Sequence, residues 1–359
     1  MSFMIAAAGT GGHVFPGLAV GDALVASGVN RDEIMFIGGS RLEADVYPSR
    51  GYPFLSLDLR GLKRSLSISN LTLPGKVWRA RNRISNEIRG RGARCVLGLG
   101  GYVTIPAALA SRRARVPLMV AEQNAVAGLA NRVAGRWASR VFTSFPETSG
   151  LPGGEWVGNP VRSELAGFAR GQLRGQAISH YGLNPDLPVV GVFGGSLGAA
   201  AINRAVADLA AGWSMDPIQI VHLVGEAHFE SMRALPSAPG VAWRRIGFED
   251  RMDLFFAAAD LVLARAGGAV AEITATGTPS ILVPGDFGSA GHQSANAAYL
   301  ASSGAAVVLA QQALVDLPAV TAGLIGNQTQ LSTMSEASAA LARPDAAKTI
   351  ARAMIEASA

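Results

Sequence analysis

The sequence predicts an α/β chain of two doubly wound, Rossmann-like parallel-sheet domains facing a central cleft, and three observations carry that prediction. The chain has 359 residues, above the roughly 250–300 at which a single core usually splits. Short apolar runs alternate with longer helical stretches, the pattern of βα units. The charge also changes sign part-way. Residues 1–162 hold 20 Lys and Arg against 10 Asp and Glu, whereas residues 163–359 hold 11 against 16. The change falls near Gly158-Asn159-Pro160-Val161-Arg162, which places the domains at 1–162 and 163–343.

In the first half the apolar runs predict strands at Phe3–Ala8, Glu33–Ile37, Phe54–Leu57, Cys95–Gly98, Leu118–Ala121 and Val141–Thr143. Helices are expected at Gly17–Ser27, Leu73–Gly90, Pro106–Arg113 and Val126–Ala138. In the second half the strands are Val189–Phe193, Ile218–Leu223, Ala242–Ile246, Leu261–Ala264, Ser280–Leu282 and Ala306–Leu309. Helices there are expected at Gly198–Gly212, Phe229–Ala234, Met252–Ala257, Ala269–Gly277 and His292–Ser303, and Pro344 opens a last one. In such sheets ligands bind beyond the carboxyl ends of the strands.

Composition narrows the function classes. With 49% hydrophobic and 16% charged residues, the chain can bury a large core and is not disordered. Cys95 is the single cysteine, which excludes a disulfide framework and a cysteine metal site. No apolar run reaches the roughly 18 residues of a bilayer span. Met1–Ala8 lacks a basic leader and is too short for a signal peptide, so a cytosolic protein, able to sit at a membrane surface, is expected.

The basic residues are concentrated. Residues 60–94 carry ten basic side chains and one acid, Glu87. Leu66–Arg94 mixes Leu66, Ile68, Leu71, Leu73, Val77 and Trp78 with Lys76, Arg79, Arg81, Arg83, Arg89, Arg91 and Arg94. Apolar side chains beside dense Arg suit the interface of an anionic membrane. The alternative is a solvated helix with Trp78 in the core. No recognition motif or aromatic platform accompanies the charge, which argues against nucleic acid.

Three glycine-rich turns each follow an apolar strand: Gly9-Thr10-Gly11-Gly12-His13, Gly98-Leu99-Gly100-Gly101-Tyr102 and Gly194-Gly195-Ser196-Leu197-Gly198. Glycine lets the backbone turn tightly and present N–H groups, and the following helix adds its positive end, which suits a diphosphate. The bland alternative is that each only turns a strand into a helix. A dinucleotide fingerprint is a poor fit, because Val14 stands where its last glycine belongs and Gly38-Gly39-Ser40 follows the second strand. A P-loop is excluded, since no Gly-Lys-Ser/Thr occurs.

The ordered set Gly9–Pro16, Gly98–Tyr102, Glu122-Gln123-Asn124, Gly158–Arg162, Gly194–Gly198 with Asn203, and His292-Gln293 resembles the MurG family, the UDP-N-acetylglucosamine transferases that convert lipid I to lipid II in peptidoglycan synthesis. The resemblance runs from residue 3 to about 310. It implies the GT-B glycosyltransferase fold, with the last helix, 344–359, packing back onto the first domain. It implies UDP-GlcNAc and lipid I as substrates, no cofactor, and a peripheral place on the cytoplasmic face of the cell membrane. Position by position, Ser196, Leu197 and Gly198 would grip the UDP diphosphate. Asn203, in the same motif, would also belong to the substrate-binding set. Phe248 and Glu249 would lie along the uracil, Glu272 would bind the ribose, and His292 and Gln293 the GlcNAc hydroxyls. Arg162 would supply positive charge at the joint. Thr10, Gly11, Gly12 and Asn124 would reach donor or acceptor, and Tyr102 would face the lipid-linked diphosphate.

One segment departs from the family pattern Arg-Ser-Gly-Ala-x-Thr-Val-x-Glu. Here it reads Arg265-Ala266-Gly267-Gly268-Ala269-Val270-Ala271-Glu272, one residue shorter and without the Thr, so the start of its helix must be rebuilt.

The implied reaction moves GlcNAc to the C4 hydroxyl of the muramyl sugar with inversion. It needs a base on that hydroxyl and stabilisation of the leaving diphosphate. His13 is the leading base candidate, with phosphate binding or capping of the turn as alternatives. Glu122 is the competing base, or else orients Asn124. No Asp-x-Asp pair of the metal-using transferases occurs, so no metal is expected. His180, His222 and His228 read as packed or solvated. The rival functions are a UDP-GlcNAc 2-epimerase-like isomerase and a non-catalytic sugar-nucleotide-binding protein of the same fold.

Overall fold

The alternation of apolar runs and helices produces two parallel sheets. The computed structural model describes residues 2–59, 73–195, 198–285 and 291–358, and every count below refers to those residues. The first sheet contains β1 (Ser2–Ala6), β2 (Ile34–Gly38), β3 (Phe54–Ser56), β4 (Ala93–Gly98), β5 (Leu118–Glu122), β6 (Arg140–Thr143) and β7 (Glu155–Trp156). The second contains β8 (Val189–Phe193), β9 (Ile218–Leu223), β10 (Val241–Ile246), β11 (Leu261–Ala264), β12 (Ser280–Leu282) and β13 (Ala306–Val308). Their orders are β3-β2-β1-β4-β5-β6-β7 and β10-β9-β8-β11-β12-β13. Both orders reverse direction beside their first strand, between β1 and β4 and between β8 and β11. A parallel α/β sheet opens its binding crevice at such a point.

The chain divides into two units, residues 1–163 with 344–359, and residues 164–343. The closing helix Ala346–Glu356 packs in the first unit, against the helix Gly11–Ala26 and β4. Arg94 donates to the Ser358 carbonyl at 2.8 Å, tying that helix end to the sheet.

Burial on both faces explains why the strands read as unbroken apolar runs. Along β1, Phe3 and Ile5 join Val14, Leu18, Ile350 and Met354 on one face, while Met4 and Ala6 join Ile84, Ile88 and Ala107 on the other. In the second unit Val190 and Val192 pack with Ile202, Val206 and Ile220.

Several elements differ from expectation. The first helix begins at Gly11 rather than Gly17, so Gly11, Gly12 and His13 form its first turn and only Gly9-Thr10 remains a loop. Pro16 is buried inside that helix; as its sixth residue it removes the N–H that would have paired with the Gly12 carbonyl. Helices also form at Leu42–Ser49, Arg170–Tyr181, Leu317–Ile325 and Gln328–Ala340. No described helix is long and apolar enough to cross a membrane.

The helix Leu73–Arg91 buries Ala80, Ile84, Ser85 and Ile88 and packs on Thr104–Ala114. Trp78 is 58% exposed, so it does not enter the core. The Arg81 guanidinium lies 3.6 Å from its ring centroid. Leu66, Ile68 and Leu71 lie outside the described residues.

Candidate active site

In the first unit the register pairs Ala6 with Gly98, so β1 and β4 end side by side and both glycine loops leave from the switch point. Gly9, Gly100 and Gly101 have φ of 105°, 97° and 74°, a region that favours glycine. A Cβ at Gly101 would meet the Ala8 carbonyl oxygen at 2.5 Å. One at Gly100 would stand 2.9 Å from His13 Cδ2 and Nε2, and 3.4 Å from Asn131 Nδ2. The imidazole therefore lies directly over the second glycine loop. Its Nδ1 is 3.1 Å from Thr10 Oγ1, which fixes the ring orientation at the positive end of its own helix.

Glu122 ends β5 and is buried. Its Oε1 accepts from the Asn124 N–H at 3.1 Å and Asn124 Nδ2 at 3.0 Å. Its Oε2 accepts from the Gly128 N–H at 3.1 Å and Asn131 Nδ2 at 2.9 Å. Both oxygens are committed to donors that shape the loop after β5. This favours the orienting role over that of a base, which needs an oxygen facing the acceptor hydroxyl. Tyr102 is half-buried and donates its hydroxyl to Glu43 Oε1 at 3.0 Å. Burial, with the Glu43 charge beside it, holds that phenol well above its ordinary pKa. Its hydroxyl is thus occupied within the protein rather than presented to a diphosphate. The Arg162 guanidinium lies 4.2 Å from the Phe15 ring centroid, fixed by a cation–π contact.

In the second unit Phe193 pairs with Ala264, so β8 and β11 end together. Ser196 and Leu197 lie outside the described residues. Around them, Gly195 and Gly198 have φ of 91° and 72°, and the Gly198 N–H donates to Gly195 O at 2.9 Å. A Cβ at Gly198 would meet Val224 O at 2.5 Å and His228 Cδ2 at 2.9 Å, so His228 packs against the third glycine loop.

The Asn203 side chain is committed within the protein. It is buried, its amide donates to Val224 O at 2.9 Å, and its oxygen is 3.1 Å from His222 Nε2. It fastens the helix Ala200–Gly212 to the end of β9. His222 is fully buried and stacks on Trp243 at 15°. Burial and then Arg245 push its pKa down to about 3, so it is neutral and Nε2 can donate to Asn203.

Phe248 is 44% exposed. Beside it, Glu249 accepts from the Tyr181 hydroxyl at 2.9 Å and the Arg251 N–H at 2.8 Å. Its side chain thus shapes the turn. The shortened segment still places Glu272 in the first turn of the helix Ala269–Thr276. Arg265 is the anchor: its guanidinium donates to Val283 O and Pro284 O, both at 3.2 Å, and to Gln311 Oε1 at 2.6 Å. Asn296 Nδ2 holds the Ala266 carbonyl at 2.9 Å. His292 and Gln293 open the helix His292–Ser302. Gln293 Oε1 accepts from the Gly285 N–H at 2.8 Å, so its carboxamide is oriented with the NH2 as the donor end.

Glu43, Asn131, His228 and Arg265 had not been singled out for these sites. Only Arg265 carried a sequence signal, as the start of the departing motif.

Two domain families match in order: the glycosyltransferase family 28 N-terminal domain over residues 3–143 and its C-terminal domain over residues 189–350. A curated relative from Mycolicibacterium paratuberculosis is 39% identical over 365 residues, covering 99% of this chain and 88% of its own. It is named UDP-N-acetylglucosamine--N-acetylmuramyl-(pentapeptide) pyrophosphoryl-undecaprenol N-acetylglucosamine transferase. The crystal structure of Acinetobacter baumannii MurG is similar at TM-score 0.77 and 27% identity, over 99% of both chains.

The chain belongs to the MurG family. Its two Rossmann-like units are those of a GT-B glycosyltransferase, and its three glycine-rich motifs follow β1, β4 and β8, strands that flank the two switch points just described. A Neisseria meningitidis UDP-GlcNAc 2-epimerase is also similar, at TM-score 0.68 over 99% of this chain and 100% of its own, but at 13% identity it shares the fold alone.

Proposed function

We propose that the chain is an inverting transferase that moves GlcNAc from UDP-GlcNAc to the C4 hydroxyl of the muramyl sugar of lipid I, forming lipid II. The observation that carries this reading is the 39% identity over 99% of the chain to relatives named for that transfer. The second unit takes the donor. Gly195, Ser196, Leu197 and Gly198 with the N-terminus of the following helix receive the diphosphate. Glu272 accepts from the ribose hydroxyls, Phe248 lies along the uracil, and Gln293 and His292 bind the sugar.

The first unit takes the acceptor. His13 removes the proton of the C4 hydroxyl as that oxygen attacks the anomeric carbon. The C1–O bond to the diphosphate breaks from the opposite side, and the charge on the departing UDP is met by backbone N–H groups and a helix dipole. Thr10 orients the imidazole, while Glu122 holds Asn124 and Asn131 in place beyond β5. Gly11, Gly12, Tyr102 and Arg162 complete the wall and charge of the site.

The exposed Trp78 beside Arg79, Arg81 and Arg83 supports a reversible seat on the anionic cytoplasmic face of the membrane, where the acceptor resides. Each basic group near such a surface contributes about 1 kcal/mol.

The test is transfer of radiolabel from UDP-GlcNAc to lipid I by wild type and His13→Ala, with and without EDTA. Labelled lipid from wild type, EDTA-insensitive and strongly reduced in the variant, is expected. No label in the lipid fraction overturns the transferase reading. Release of a 2-epimer without acceptor supports the isomerase.

A further inference from the structure

Glu43 carries a role that neither the motifs nor the reaction chemistry assigned. It stands in the first turn of the helix Leu42–Ser49 and is 0% exposed. Its Oε2 accepts from the Gly9 N–H at 3.3 Å. Its Oε1 accepts from the Gly39 N–H at 3.0 Å and from the Tyr102 hydroxyl at 3.0 Å. These donors follow three adjacent strands, β1, β2 and β4. One buried carboxylate therefore ties the first glycine loop to the second, across the switch point.

The packing leaves it little freedom. A Cβ at Gly38 would stand 2.6 Å from Glu43 Cγ, and one at Gly39 would overlap the Tyr102 hydroxyl. A buried carboxylate shared by three donors is stiff, because moving any one strands a polar group away from water. His13 lies between the tied loops, in the helix that starts beyond Gly9 and over Gly100.

We propose that Glu43 is a positioning residue for glycosyl transfer, locking the two glycine loops in one register so that the His13 ring keeps its aim. The proposal rests on the reading of the first unit as the acceptor site. Glutamine at position 43 keeps the shape but offers one acceptor oxygen, and its NH2 sets a donor against a donor.

The experiment compares wild type, Glu43→Gln and Tyr102→Phe as full chains. It reads kcat and KM with UDP-GlcNAc and a soluble short-chain analogue of lipid I, the UDP-GlcNAc Kd by calorimetry, and amide hydrogen exchange. Glu43→Gln is expected to lower kcat by about tenfold or more while leaving the UDP-GlcNAc KM and Kd within about twofold. Exchange in residues 9–13 and 98–104 rises, while residues 218–223 exchange as in wild type. Tyr102→Phe, which keeps the packing, shows the same pattern at smaller amplitude. Unchanged exchange in both loops, or a kcat within about twofold of wild type, overturns the proposal. So does loss of protection throughout the first unit in both variants, the mark of a carboxylate that only holds the fold. A wild type without transfer would overturn the acceptor-site reading, and the exchange data would still decide whether Glu43 locks the loops.

Discussion

At the scale of single residues, the two acidic candidates of the first unit have separable roles. Glu122 spends both oxygens on four donors, which suits a residue that orients its neighbours. Glu122→Gln should therefore lose about 1–3 kcal/mol of stability together with activity, because buried donors are left without acceptors. Thermal unfolding and kcat, measured on the same preparation, check this. A variant that loses turnover but melts like wild type would return the base role to Glu122. The importance of Glu122 was legible in the triplet Glu122-Gln123-Asn124; its four partners were not. Glu43 was invisible for the same reason. Its donors come from Gly9, Gly39 and Tyr102, far apart in the chain, and an acid in the run Leu42-Glu43-Ala44-Asp45 says nothing about backbone N–H groups that only the sheet brings together.

At the scale of elements, strands were easier to read than helices. Val189–Phe193, Ile218–Leu223, Leu261–Ala264 and Ser280–Leu282 form as expected, since burial on both faces demands unbroken apolar runs. The two-residue β7 has no period to read. Arg170–Tyr181 and Gln328–Ala340 are rich in polar and small residues and lack a clear apolar stripe. The start at Gly11 was missed because glycine is a poor helix former, and tertiary packing overrides that preference. The β9 element also makes a pH prediction. His222 is neutral in the folded state, with its pKa lowered to about 3, whereas unfolded histidine titrates near 6.5. Between those values the unfolded chain binds the extra proton. Stability is therefore retained above about pH 6.5 and lost as pH falls toward 3, by at most about 1.4 kcal/mol per pH unit. His222→Gln should flatten that acid limb in denaturant titrations; an identical slope would contradict the neutral, buried histidine. The helix Leu73–Arg91 makes a second prediction. Replacing Trp78, Arg79, Arg81 and Arg83 should weaken binding to anionic vesicles and spare turnover of a soluble short-chain acceptor. Unaltered vesicle binding in a flotation assay would remove the membrane role.

At the scale of the whole molecule, the contrast of charge between the two halves was a better guide than their sum. The basic half carries the exposed Trp78 and the candidate base. The acidic half carries the glycine loop and helix ends that suit a soluble anion, so local geometry outweighs net charge there. The two-domain α/β architecture was legible because each sheet repeats the same strand and loop pattern. The shortened Arg265–Glu272 segment required the structure, since Gln311, Val283 and Pro284 that hold Arg265 lie well downstream. The central claim is inverting transfer to a lipid-linked muramyl sugar, and the most direct measurement is the linkage in the product. Incubated with UDP-GlcNAc and lipid I, the chain should place GlcNAc on the muramyl C4 oxygen in a β linkage, opposite in configuration to the α-linked donor. An α linkage, or GlcNAc recovered only as nucleotide sugar or its epimer, would contradict it.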